Sequence, residues 1–301
     1  MIRLVKRTKL NVAKYDSCIQ KSLQSNVYGF SWYLDLVCDN WSVLVLNDYE
    51  AVMPLPHRRK LFVKYVYPPF WLIQLGIYSE AIEDENEFLI ELFSEFKFVE
   101  TRLNAKNSFS MFQDFQQERQ LQVLNLKEDY NTLCAAYKKD RRKDLSRAKK
   151  NDLVERWNDE PENLIQLYKA NVGKRVKNIK DKDYDTLLKL MKMSIVKRKG
   201  EILSIYDVDN HLVASAFFLK HHKRITILAS STDFKNRKNG ANTFLIDRAI
   251  YKYHPNYEVF DFGGSSMPSI ASYFLSFGAK TEKYKMLQYN NLPKFLKLFK
   301  K

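Results

Sequence analysis

Apolar positions along the second half of the chain switch between helical and strand spacing in a definite order. Helices are expected over 162–172 and 183–197, then a strand at 202–207, a turn at Asp209-Asn210, and strands at 212–219 and 225–230. A helix over 241–252, a strand at 259–262, a helix over 269–275 and a strand at 284–289 complete this half. The first half shows a looser version of the same alternation. A strand within 2–10 leads into a helix that Asn11 can cap, and Ser31 is expected to cap another, SWYLDLVCDN, with Trp32, Leu34, Leu36 and Val37 on its apolar surface. Strands follow at 41–46, 52–55 and 62–66, the last two joined by the basic turn His57-Arg58-Arg59-Lys60. A helix at 85–95 and strands at 96–103 and 120–126 come next. A long basic helix over 130–150 bridges the halves, and Asn291-Leu292-Pro293 starts a short helix over 294–300.

This order describes an α/β (α+β) protein with mixed central sheets flanked by helices. A chain of 301 residues exceeds the usual single-domain size, so two domains are expected. They are read as 1–126, a linking helix 127–150, and 151–301, whose last helix can pack back on the first domain. Hydrophobic content of 45% with 14% aromatics is ample for packed cores. No apolar run approaches the ~20 residues that span a bilayer, and the richest stretch, 65–78, is broken by Pro68 and Pro69. The start, MIRLVKRTKL, lacks the apolar segment of a secretory signal. The cysteines Cys18, Cys38 and Cys134 have no metal-like spacing, and an odd number completes no disulfide framework. A reduced, cytoplasmic protein is expected.

Fifty Lys and Arg against 35 Asp and Glu give a net charge of +15. Such a field attracts polyanions: tRNA, nucleotide diphosphates, coenzyme A or an anionic membrane surface. The charge is spread along the chain, so a solvated lysine-rich surface is the plainer alternative. His221-His222 has no partner at metal spacing, and no Ser-His-Asp, P-loop or zinc pattern is present, so no metal is expected.

The candidate chemistry concentrates in 227–279. There a strand runs into the basic turn DFKNRKNG, a helix begins at Ala241, and a second strand ends in Asp261-Phe262-Gly263-Gly264. A helix N-terminus directly after a strand offers unpaired N–H groups and the positive end of its dipole to a phosphate. Arg237 can pair with that phosphate and Gly240 can let the backbone approach it; an ordinary solvated loop would look the same. Two glycines at a strand end can open a V-shaped splay between 225–230 and 259–262, or simply form a turn. Asp261 can point into such a cleft as a base or polar anchor, or cap the next turn.

Asn236-Arg237-Lys238-Asn239-Gly240-Ala241 resembles a degenerate pyrophosphate loop of the GNAT acyltransferases, with Arg237 and Gly240 in register and Asn242 in place of the last Gly or Ala. The double glycine, the pair Tyr273-Phe274 and Phe277-Gly278-Ala279 are similar to the C-terminal half of FemABX-type proteins, which are tandem GNAT-like folds. The resemblance covers about 127–290, and the first half only in outline as a degenerate GNAT-like domain. It implies a donor site formed by Ser230, Ser231, Arg237, Asn239, Gly240, Ala241, Gly263 and Gly264. It also implies a tyrosine acid in the helix over 269–275. By spacing that position falls on Phe274, with Tyr273 beside it, and the lysine of several Fem-type transferases is missing.

The densest basic run, 137–150, resembles the linking helix of these proteins, where Arg141 and Arg142 would meet a substrate diphosphate or nucleic acid. An exposed face paired by Asp140 and Asp144 is the alternative. Trp32, Tyr67 and Gln74 could wall an acceptor channel, although aromatic clusters are more often core. The function implied is transfer of an acyl or aminoacyl group from acyl-CoA (acetyl-CoA) or aminoacyl-tRNA to an amine, such as one on a cell-wall precursor. The alternative is a polyanion-binding or scaffold protein that keeps the fold without the chemistry. Replacing Arg237 by Ala together with Gly240 by Val is expected to weaken donor binding without unfolding the chain.

Overall fold

The computed structural model describes residues 1–60, 62–81, 84–235, 237–264 and 267–293. The expected helix over 294–300 lies outside them. The chain divides into two compact units, Met1–Arg119 with Lys283–Lys301, and Gln120–Glu282.

In the first unit the strands are β1 (Ile2–Lys6), β2 (Trp41–Leu46), β3 (Ala51–Lys60), β4 (Val63–Val66), β5 (Tyr78–Ser79) and β6 (Phe98–Arg102). The helices are α1 (Val12–Lys21), α2 (Ser31–Val37) and α3 (Asn86–Glu95). Asn11 caps α1 as its sequence suggests, accepting from Lys14 N at 3.1 Å. β1, β2 and β3 pair antiparallel, and β6 pairs antiparallel with 286–290 of the last strand. The basic segment 57–60 is not the expected turn. It continues β3 and pairs with all four residues of β4, because Arg58 stacks over Tyr67 and reaches Asp39 while the strand's far end meets solvent.

His57 sits on this strand, half-buried, with its Nε2 3.0 Å from Ser42 Oγ. Burial, then the charge of Lys64, push its pKa down from 6.5 to about 4. The unfolded chain therefore binds this proton at a higher pH than the folded one does. Stability is expected to be full above about pH 6.5 and to fall as pH drops towards 4. Urea midpoints between about pH 7 and pH 5 check this. His57→Gln should flatten part of the slope, and an unchanged slope would assign the acid sensitivity elsewhere.

The second unit holds the end of β7 (Gln116–Asn125), then α4 (Tyr130–Ala135), α5 (Lys139–Lys150), β8 (Val154–Trp157), α6 (Pro161–Ala170), α7 (Asp181–Val196), β9 (Gly200–Tyr206), β10 (Leu212–His221) and β11 (Arg224–Thr232). It continues with α8 (Ala241–Tyr253), β12 (Val259–Asp261), α9 (Pro268–Leu275) and the start of β13 (Lys280–Asn290). Its strands run β7, β12, β11, β10, β9, β8; only β11 and β12 are parallel to each other. The run Val213–Leu219 is buried throughout, as expected of a strand covered on both faces. Phe218 packs against Phe260 and against Tyr253 of α8 within one core, with Leu245, Ile246 and Ile250.

The single bridging helix read over 130–150 is two helices. Tyr137 is buried edge-on against Phe277, and Lys138 is extended with its N–H bonded to Ser276 O at 2.9 Å. Tertiary contacts therefore break a stretch of good helix formers. β8 was not foreseen.

Candidate functional site

β11 and β12 pair through only three residues of each, Arg224–Thr226 against Val259–Asp261. β11 then continues to Thr232 while β12 stops. A bulge at 227–229, where Phe217 faces Ala229 and Phe218 faces Ile227, leaves Leu228 without a partner on β10. Past this point a pocket of about 490 Å³ opens between β11, α5, α9 and the N-terminus of α8. Ser230, Ser231, Gly240, Arg141 and Tyr273, all singled out by sequence, line it together with Asp144, Asn242, Thr243, Ser269 and Phe274.

Gly240 stands before α8 with φ +86, the left-handed region that favours glycine. A Cβ there would meet Asp144 O at 2.2 Å. The glycine is therefore required by the close approach of α5 to α8, as well as being available to a ligand. Asn239 Oδ1 accepts from Ala241 N at 2.9 Å, and Ala241 is buried.

At the mouth of α8 the polar groups form one network. Arg141 Nη1 donates to Thr243 Oγ1 at 3.1 Å, and its Nη2 lies 3.0 Å from Asp144 Oδ2. Thr243 Oγ1 donates to the same Asp144 oxygen at 3.0 Å. Its only proton is thus committed, so the 3.1 Å contact with Tyr273 is one in which the phenol donates. The Arg141 guanidinium lies over the Tyr273 ring at 4.3 Å. Burial pushes the Tyr273 phenol above its usual range, opposed by Thr243 and Arg141, so it is protonated at neutral pH. Asp144 is held on its other oxygen by Arg147 at 2.8 Å.

Other sequence candidates lie elsewhere. Asp261 is buried and does not line the pocket. Its carboxylate meets Arg224 at 2.9 Å and accepts from Gly263 N at 2.9 Å, and Arg224 also binds Glu282 at 2.8 Å. Burial raises the Asp261 carboxyl and Arg224 opposes it. Burial lowers the Arg224 guanidinium, and the two carboxylates more than offset that. Gly263 and Gly264 both take positive φ, turning the chain at the strand end, and a Cβ on Gly264 would strike Leu121 Cβ at 2.8 Å. Arg142 turns back onto the carbonyls of Ala135 and Tyr137.

Trp32, Tyr67 and Gln74 belong to the first unit. Trp32 stacks edge-on against Tyr33 and Tyr67 lies under Arg58, while Gln74 is buried with its Nε2 unpaired. Only the backbone of Arg237, in a short 3-10 turn over Arg237–Asn239, falls within the description. Sequence reasoning missed Thr243, Asn242 and Ser269 as pocket residues, and read Asp144 only as a surface partner. The available signal was a hydroxyl residue in the first turn of the helix after the glycine.

No protein-family model matches this sequence, and no curated protein matches it significantly. Solved structures do match. FemX superposes with a TM-score of 0.66 at 10% identity, covering 97% of this chain and 98% of FemX. L-PGS from Bacillus licheniformis superposes with a TM-score of 0.60 at 12% identity, over 95% and 94% of the two chains. A tandem GNAT protein from the clavulanic acid biosynthesis pathway gives 0.54 at 9% identity, over 98% and 100%. The class is thereby defined at the level of architecture: a mixed α/β protein of the GNAT type. Its fold is FemABX-like, as the residues of the second half suggested.

Proposed function

We propose that the protein is an N-acyltransferase of the GNAT/FemABX type, moving an acyl or aminoacyl group from acyl-CoA or aminoacyl-tRNA to an amine. The observation that carries this reading is the pocket where β11 outruns β12 and α8 begins, with a protonated tyrosine at its side. Ser230, Asn242 and the N–H groups of Asn242 and Thr243 at the start of α8 are the donor-binding groups, since the Ala241 N–H is taken by Asn239, and Arg237 belongs to the same turn. The amine nitrogen attacks the donor carbonyl carbon, and its bond to sulfur or to the ribose oxygen breaks as the tetrahedral adduct collapses. Tyr273 gives its proton to the departing atom, the amine's extra proton leaves to water, and a proton from water restores the phenol. Positioning and polarisation of the carbonyl carry most of the rate. A cell-wall precursor is one amine acceptor of this kind.

Two observations favour a second reading, a polyanion-binding protein without catalysis. The Tyr273 proton is already donated to Thr243, and the exposed face of α5 carries Lys139, Arg142, Lys143, Arg147, Lys149 and Lys150. Thermal-shift series with acetyl-CoA, CoA and bulk tRNA separate the two. A donor at 100 times its Kd should add about 2.7 kcal/mol of stability. Tyr273→Phe is expected to keep that gain while lowering transfer about 10²- to 10⁴-fold. Stabilisation by tRNA alone, falling steeply with salt and with no transfer detected, would support the binding protein. No shift with any of the three ligands would count against both readings.

A further inference from the structure

Arg175 stands at the edge of the pocket. It ends the short turn Val172–Arg175, and its guanidinium lies 4.1 Å over the ring of Phe234. Phe234 and Val172 both line the pocket. Buried Asn171 fastens the two segments together: its Oδ1 accepts from Phe234 N at 2.8 Å, and its Nδ2 donates to Leu167 O at 3.0 Å. Gly173 is packed so closely that a Cβ would meet Tyr184 Oη at 2.3 Å. The turn that carries Arg175 is therefore fixed against the segment that follows β11.

Other arginines stacked on rings also bond a side-chain acceptor. Arg7 has Asp35, Arg58 has Asp39, Arg141 has Asp144, Arg156 has Asn210 and Arg248 has Glu155. Arg175 is exposed and has no such acceptor among the described residues. The run 172–180 contains no acid. The acids flanking these segments are engaged, Asp181 by Lys169 at 3.1 Å and Asp233 by Lys235 N at 3.0 Å. Inside the pocket the charge of Arg141 is already met by Asp144. A stacked guanidinium keeps its in-plane N–H donors free, and their fork matches a phosphate.

We propose that Arg175, held on Phe234, binds a phosphate of the donor while the acyl end lies deeper, beside Tyr273. The proposal rests on reading the pocket as the donor site, and it adds a residue outside the turn before α8. Both donors carry the required chemistry, coenzyme A in its pyrophosphate and tRNA in the phosphodiesters of its 3′ end. Lys174 and Lys177, exposed on either side of Arg175 in the chain, add positive charge to the same segment.

The test is calorimetric titration of the full chain with CoA and, separately, with bulk tRNA. At least one is expected to bind the wild type, and that affinity should fall tenfold or more in Arg175→Ala. Arg175→Met, which still covers the Phe234 ring, should lose as much, and Arg175→Lys only part of it. Lys223→Ala removes the same charge at the opposite end of β11, about 25–30 Å away for a strand of nine residues, and should bind like the wild type. Arg175 is exposed, so its variants should fold, and circular dichroism checks that they do. A loss confined to CoA supports the inference with coenzyme A as the phosphate source, and a loss confined to tRNA supports it with the 3′ end. Wild-type affinity in Arg175→Ala or Arg175→Met, or an equal loss in Lys223→Ala, would overturn the inference and leave the donor pocket standing. Binding of neither ligand by the wild type would overturn both.

Discussion

Replacing Asp261 with alanine is expected to destabilise the protein by about 2–4 kcal/mol, somewhat below the usual loss for breaking a buried ion pair because one partner remains. The Asp261 side chain is 5% exposed, and its removal leaves Arg224 with Glu282 alone. The Gly263 N–H would lose its acceptor as well. The residue therefore ties β12 to β11 and to Glu282, and the strand pairing that frames the pocket depends on it. Urea denaturation measures the loss, and Asp261→Asn, which keeps the shape without the charge, should fall in between. A variant that unfolds at the wild-type urea concentration yet transfers no acyl group would show that Asp261 acts on the substrate instead.

The second large effect is expected from Gly240→Val. Holding a branched residue at φ +86 costs about 1–2 kcal/mol. A Cβ 2.2 Å from the Asp144 carbonyl oxygen must also push α5 from α8, at about 1–3 kcal/mol for an overpacked contact. The sum, about 2–5 kcal/mol, contradicts the expectation that this glycine can be replaced without unfolding the chain. Changing Arg237 by itself is the cleaner probe of the turn, because it leaves the α5–α8 approach intact. A Gly240→Val protein within roughly 0.5 kcal/mol of wild type, the range of an ordinary surface change, would show that the two helices can separate freely.

Much of the second unit was legible from spacing. The order from α6 to β13 follows the sequence expectation closely, because continuous apolar runs and helical periodicity report burial of local faces. Polar local signals were less reliable. The segment 57–60 reads as a turn because it is basic, yet it is a strand whose charges find Asp39 and the Tyr67 ring. The stretch 130–150 reads as one helix because every residue tolerates a helix, yet Tyr137 and Lys138 are taken by Phe277 and Ser276.

By itself the sequence determined the alternation of elements, the glycines at left-handed positions 240, 263 and 264, and the basic character of α5. The tertiary structure decided which polar groups meet. Arg141 and Asp144 reach Thr243 from 102 and 99 residues away, because α5 packs across the N-terminus of α8. Asp261 turns from the pocket because the β11–β12 register pairs it with Thr226, which leaves Arg224, two residues earlier on β11 and 37 residues earlier in the chain, within reach of its carboxylate. Periodicity fixes the face on which a side chain stands, but a hydrogen bond needs a partner within about 3 Å. Helix crossings and strand register set that partner.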